Sequence, residues 1–127
     1  MIKKLNIAVA VFAMVTSCAW ATRTWSTSAY YPGSPSGSVT ENDYFSSGTI
    51  FTATMSGVGS GGGAAYAIDV GTGTMYAFVN TGGGPGQPFY ATNTGSALTS
   101  ATTVGIRLNI SVGSTGAYGT ASVSSNW

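Results

Sequence analysis

The sequence predicts an all-β protein: an antiparallel two-sheet sandwich or jelly-roll of about six to eight short strands. Three observations carry this. Val104, Ile106, Leu108, Ile110 and Val112 fall on every second residue, the period of a half-buried strand. Clusters of Gly, Ser, Thr and Pro punctuate the chain between such alternating segments, as turns do. No run of ten or more residues after the first 21 has a helical period with caps.

The elements follow in order. Pro32–Gly37 reads as a turn and Ser38–Phe45 as a strand. In Thr49–Ser56, Phe51, Ala53 and Met55 share one face, and Thr52, Thr54 and Ser56 share the other. Gly57-Val58-Gly59-Ser60-Gly61-Gly62 matches G-x-G-x-x-G. A nucleotide site would need a helix next, but Ala64–Val70 alternates, so this is read as a hairpin loop. In Ala64–Val70 the larger residues Tyr66, Ile68 and Val70 are expected to face the core. Thr74–Asn80 sets Met75, Ala77 and Val79 against Tyr76 and Phe78, and pairs with the preceding strand across Gly71-Thr72-Gly73 as a hairpin. Thr81–Pro88, with four glycines and two prolines, is read as a loop. A short strand is expected at Phe89–Thr92. Thr103–Val112 and Ala117–Ser124 then form a closing hairpin across Gly113–Gly116.

The front of the chain sets an expected compartment. Lys3 and Lys4 precede a mostly apolar run, Leu5–Val15, and Ala19-Trp20-Ala21 supplies small residues at a cleavage site. Residues 1–21 thus read as a signal peptide and residues 22–127 as one secreted domain. The apolar run is too short for a transmembrane anchor. Val15-Thr16-Ser17-Cys18 resembles the lipobox of bacterial lipoproteins, and a lipid anchor at Cys18 is the lesser alternative. Cys18 is the only cysteine, so cleavage after Ala21 leaves no disulfide.

Composition narrows the chemistry. The chain is 6% charged and 43% hydrophobic, against about a quarter charged in an ordinary domain. Disordered chains combine low hydrophobicity with high charge, the opposite pattern. After residue 21 the charges are Arg23, Arg107, Glu41, Asp43 and Asp69. With no clustered Lys or Arg, nucleic acid and anionic lipid are not expected partners.

The chain holds no His, which removes Ser-His-Asp chemistry. Without Lys or Cys in the mature form, Ser-Lys and Cys nucleophiles are removed as well. No catalytic residue, metal ligand or cofactor site is expected. Glu41 and Asp43 lie in Glu41-Asn42-Asp43-Tyr44, which looks like a solvated turn rather than a glycosidase pair or a complete Ca²⁺ loop. Trp127 at the end is also a feature of outer-membrane barrel strands. The chain is too short for eight tilted spanning strands with loops, and its inward faces are apolar.

Two functions remain. One is a non-enzymatic structural or adhesive subunit of a surface fibre, coat or biofilm matrix. It would self-associate as a homo-oligomer or polymer through an uncharged edge strand carrying Tyr118, Thr120, Ser122 and Ser124. The other is a lectin-like module whose exposed Trp25, Tyr30, Tyr31 and Tyr90 stack on a glycan. Asn42 and Asp43 would bond its hydroxyls. Both place the protein outside the cell or on its surface.

Overall fold

The computed structural model describes residues 22–127. The expected signal peptide and Cys18 lie outside them. Eight strands follow in order: β1 (Arg23–Tyr30), β2 (Ser36–Phe45), β3 (Phe51–Val58), β4 (Gly61–Asp69), β5 (Met75–Gly83), β6 (Pro88–Thr94), β7 (Thr102–Val112) and β8 (Tyr118–Ser125). There is no helix among the described residues. The strands form two four-stranded antiparallel sheets, ordered β1-β8-β3-β6 in the first and β2-β7-β4-β5 in the second. Their inner faces share one core, so the fold is all-β and sandwich-like.

Consecutive strands mostly change sheet. Only β4 and β5 are neighbours in both chain and sheet, joined by the expected hairpin at Gly71-Thr72-Gly73. The β7–β8 connection is therefore a crossing between sheets, not a closing hairpin. The β3–β4 connection is another, reduced to Gly59-Ser60 because Gly57 and Val58 belong to β3 and Gly61 and Gly62 to β4. The two crossings hold each other: Gly113 N–H donates to Ser60 O at 2.8 Å. Gly59 has φ +98°, and any side chain there would strike Ala117, so glycine is required.

Alternation explains most of the core. Phe51, Ala53 and Met55 of β3 are buried, as are Val104, Ile106, Leu108, Ile110 and Val112 of β7. At β4 the expected face is reversed: Ala65, Ala67 and Asp69 point inward, and Val70 is exposed. Ala65 and Ala67 are fully buried in a core that also holds Phe51 and Met55, with Tyr76 packed against it. In β5 a register shift opposite Ala67/Ile68 puts Tyr76 and Ala77 inward in succession and turns Met75 out to solvent. Bulges of this kind break the period of two. The loop expected over Thr81–Pro88 shrinks to residues 84–87, since β5 continues to Gly83 and β6 begins at Pro88. Bare Gly61, Gly62 and Gly63 pair there with Gly83, Gly82 and Thr81.

Four aromatic rings link the sheets at one end. Trp25 meets Phe45 edge-on at 5.8 Å, Phe45 meets Phe51 at 4.9 Å, and Phe51 stacks on Tyr76 at 6.3 Å. Each such pair contributes about 0.5–1.5 kcal/mol beyond burial. At the other end Phe89 fills the space left by Gly57, Gly83 and Gly119.

Candidate binding face

The outer face of the first sheet is a grid fixed by strand register. Thr24, Ser124, Thr52 and Thr94 form one row across β1, β8, β3 and β6. Ser26, Ser122, Thr54 and Thr92 form the next. Ser28, Thr120, Ser56 and Tyr90 form the third, and Tyr30, Tyr118, Val58 and Pro88 the fourth. Neighbours in a row are about 4.8 Å apart, and rows about 7 Å apart. Thr52 and Thr94 share a hydroxyl hydrogen bond of 3.0 Å, and Thr54 and Thr92 one of 3.1 Å. The face carries no ionisable group except tyrosine.

Tyr30, Tyr90 and Tyr118 are 57%, 68% and 56% exposed on this face. The Tyr30 ring lies against Gly33, where a side chain would collide with it. Tyr31 follows in the turn, half-exposed, its N–H donating to Ala117 O at 3.0 Å. At the opposite end a shallow depression of about 250 Å³ is lined by Thr22, Ile50, Thr52, Ser124, Ser125 and Asn126.

The structure thus unites Tyr30 and Tyr90 of the expected glycan set and adds Tyr118, which the sequence reading placed on a free edge. That edge assignment is corrected: β8 pairs with β1 on one side and β3 on the other. Tyr118, Thr120, Ser122 and Ser124 lie on the sheet's outer face, with no free backbone edge. The T-x-T and S-x-S spacings of β1, β3, β6 and β8 were the available signal for this face; register alone lines them up.

Trp25, Asn42 and Asp43 lie elsewhere. Trp25 belongs to β1 and points inward, half-buried, its Nε1–H donating to Glu41 Oε2 at 2.7 Å. The Arg23 guanidinium sits 4.8 Å from its ring centre, so the ring is engaged at the sheet border and is not part of the outer face. Glu41-Asn42-Asp43-Tyr44 is strand, not turn. Being opposite Val104 and Ile106 in register, Asp43 and Glu41 point toward the first sheet. Asp43 pairs with Arg23. That hydrogen bond, with one from Tyr44 N–H, holds its carboxyl below the ordinary value. Asn42 faces outward on the second sheet, where its Oδ1 accepts from Arg107 at 2.7 Å, and Arg107 also donates to Glu41 O at 2.8 Å.

Asp69 is buried and serves the β4–β5 hairpin. Its carboxylate accepts from Thr72 N–H, Tyr76 O–H, Thr102 O–H and Gly71 N–H at 2.8–3.0 Å. Led by the Thr72 bond, these lower its pKa to about 2. Burial, then Asp69 itself, push the Tyr76 phenol up. All three carboxylates therefore have protein partners already. Among the described residues no group of three His, Cys, Asp or Glu could hold a metal ion. Nor is any described helix long and apolar enough to cross a membrane.

What the geometry defines is a sandwich-like β-domain with an uncharged hydroxyl face bordered by tyrosines. No protein-family model matches the chain, and no curated protein matches it.

Proposed function

We propose that this chain is an exported, non-enzymatic carbohydrate-binding module whose ligand lies on the outer face of the first sheet. One observation carries the reading: Tyr30, Tyr90 and Tyr118 are all more than half exposed on one charge-free sheet face. Tyrosine offers an apolar ring with a polar tip, suited to the C–H face and hydroxyls of a sugar ring. The Ser and Thr hydroxyls beside them both donate and accept, as sugar hydroxyls do. The self-assembling fibre reading loses the β8 edge it named, because β8 is paired on both sides, and keeps only the low charge of the chain in its favour.

Affinity electrophoresis in gels containing soluble polysaccharides tests the proposal. Tyr118→Ala and Tyr90→Ala should each weaken retardation about tenfold, the loss of one aromatic contact of about 1.5 kcal/mol. Tyr44→Ala is the control, since Tyr44 is 66% exposed but faces outward on the second sheet. Equal effects of all three substitutions, or no retardation of the wild type in any gel, would refute the reading.

A further inference from the structure

We infer that the ligand is the ordered surface of a crystalline polysaccharide rather than a single soluble chain. This rests on the carbohydrate reading and adds the physical state of the ligand. The binding face is two-dimensional. Three rows of four positions hold Ser or Thr everywhere except Tyr90. Four strands and three rows span about 14 Å in each direction. A lone sugar chain would occupy one row and leave the other hydroxyls facing water. Each hydroxyl contact gains little over water, because water bonds the free groups as well. A useful affinity needs many such contacts made together, and their sum is favourable when both partners are rigid and in register.

The protein side meets that condition. Its two central strands, β8 and β3, are paired on both sides. The Thr52–Thr94 and Thr54–Thr92 bonds fix four of the hydroxyls in orientation before any ligand arrives. Charge complementarity points to the same occupant. All five charged side chains of the described residues lie off this face: Arg23, Glu41 and Asp43 point between the sheets, Asp69 into the hairpin, and Arg107 outward on the second sheet. A neutral hydroxylated lattice is the partner that needs no charge and repeats in two dimensions.

The test compares the full chain on microcrystalline cellulose, crystalline chitin and the soluble hexasaccharides of each. Depletion isotherms should show binding to one of the solids at least tenfold tighter than to its hexasaccharide. Thr54→Val with Thr92→Val removes the hydrogen-bonded hydroxyl pair of the middle row at nearly constant shape, and should weaken binding to the solid about tenfold with an unchanged melting temperature. Ser26→Lys sets a charge on the exposed edge of the grid without touching the core, and should do the same should the double variant fail to fold. Hexasaccharide binding as tight as binding to the solid would overturn the inference and leave the carbohydrate reading standing. Binding to no carbohydrate would overturn both. Variants that bind the solid like wild type would overturn the role given to the grid.

Discussion

Gly57→Ala should be among the most damaging single-methyl additions to this protein. Gly57 lies in β3, opposite Gly119 of β8 and Phe89 of β6. A Cβ there would stand 2.8 Å from Gly119 Cα, and closer still to Tyr118 O and Phe89 Cζ. Carbon atoms normally approach to about 3.5–4.0 Å, so something must move by about 1 Å. Phe89 is locked into the core, and the other two obstacles are backbone of a strand paired on both sides. Overpacking costs about 1–3 kcal/mol where side chains can yield; with backbone in the way the upper end, about 3 kcal/mol, is expected. At about 4 °C or more per kcal/mol for a domain of this size, the melting temperature should fall by at least about 12 °C. The contrast is Gly86→Ala: φ is +71° with open space around it, so only left-handed strain of about 1–2 kcal/mol is added. Thermal unfolding followed by circular dichroism compares them. A Gly57→Ala melting temperature equal to or above that of Gly86→Ala would refute the packing argument.

Leu108→Ala should cost about 2–5 kcal/mol by leaving a cavity between the sheets, read from urea midpoints at constant slope. Asp69 has a folded pKa of about 2 against an ordinary 3.8. A lowered carboxylate pKa stabilises the fold above the unfolded value, and that stability is lost as pH falls from about 4 to 2. Melting temperature should therefore drop across that window, and Asp69→Asn should be destabilised at pH 7 yet lose less further stability on acidification. A parallel pH profile for Asp69→Asn would remove Asp69 from that role.

The strands were more legible than their arrangement. β7 shows plainly because five large aliphatic residues alternate with small or polar ones. β1 carries no such signal because its inward residues, Trp25, Thr27 and Ala29, do not resemble one another. At β4 size points the wrong way: Tyr66 and Ile68 outweigh Ala65 and Ala67, yet the two alanines are the fully buried pair. Tyr66 instead meets Phe78 outside, at 6.0 Å between ring centres. No local pattern signals the Met75–Ala77 irregularity. The position of β8 was out of reach for a different reason: six of the seven connections change sheet, so chain order says little about which strands end at an edge. Tyr30 and Tyr90 could be picked out as aromatics among polar residues, but their common face exists only through β8 and β3.

That topology also explains how a chain with so little charge manages its open edges. Edge strands offer unpaired N–H and C=O groups, and one defence is an inward-pointing charge. β2 is a ten-residue edge, and it carries both Glu41 and Asp43 on its inner side. Arg23 and Trp25 of β1, the facing edge, meet them there. At the opposite border, Asn93 of β6 accepts from Phe78 N–H of β5 at 3.2 Å. Arg107 ties β7 to β2 through Asn42 and Glu41. Four of the five charged groups thus sit around β2, and the fifth closes a hairpin. The sheet formed by β1, β8, β3 and β6 is left with a neutral outer face because the charges are committed to edges and a turn. Lysine would protect those edges equally well, but its long, strongly hydrated side chain would stand beside the grid. Protecting edges from inside the sandwich keeps charge off the hydroxyl face, as the neutral, repeating ligand proposed for it requires.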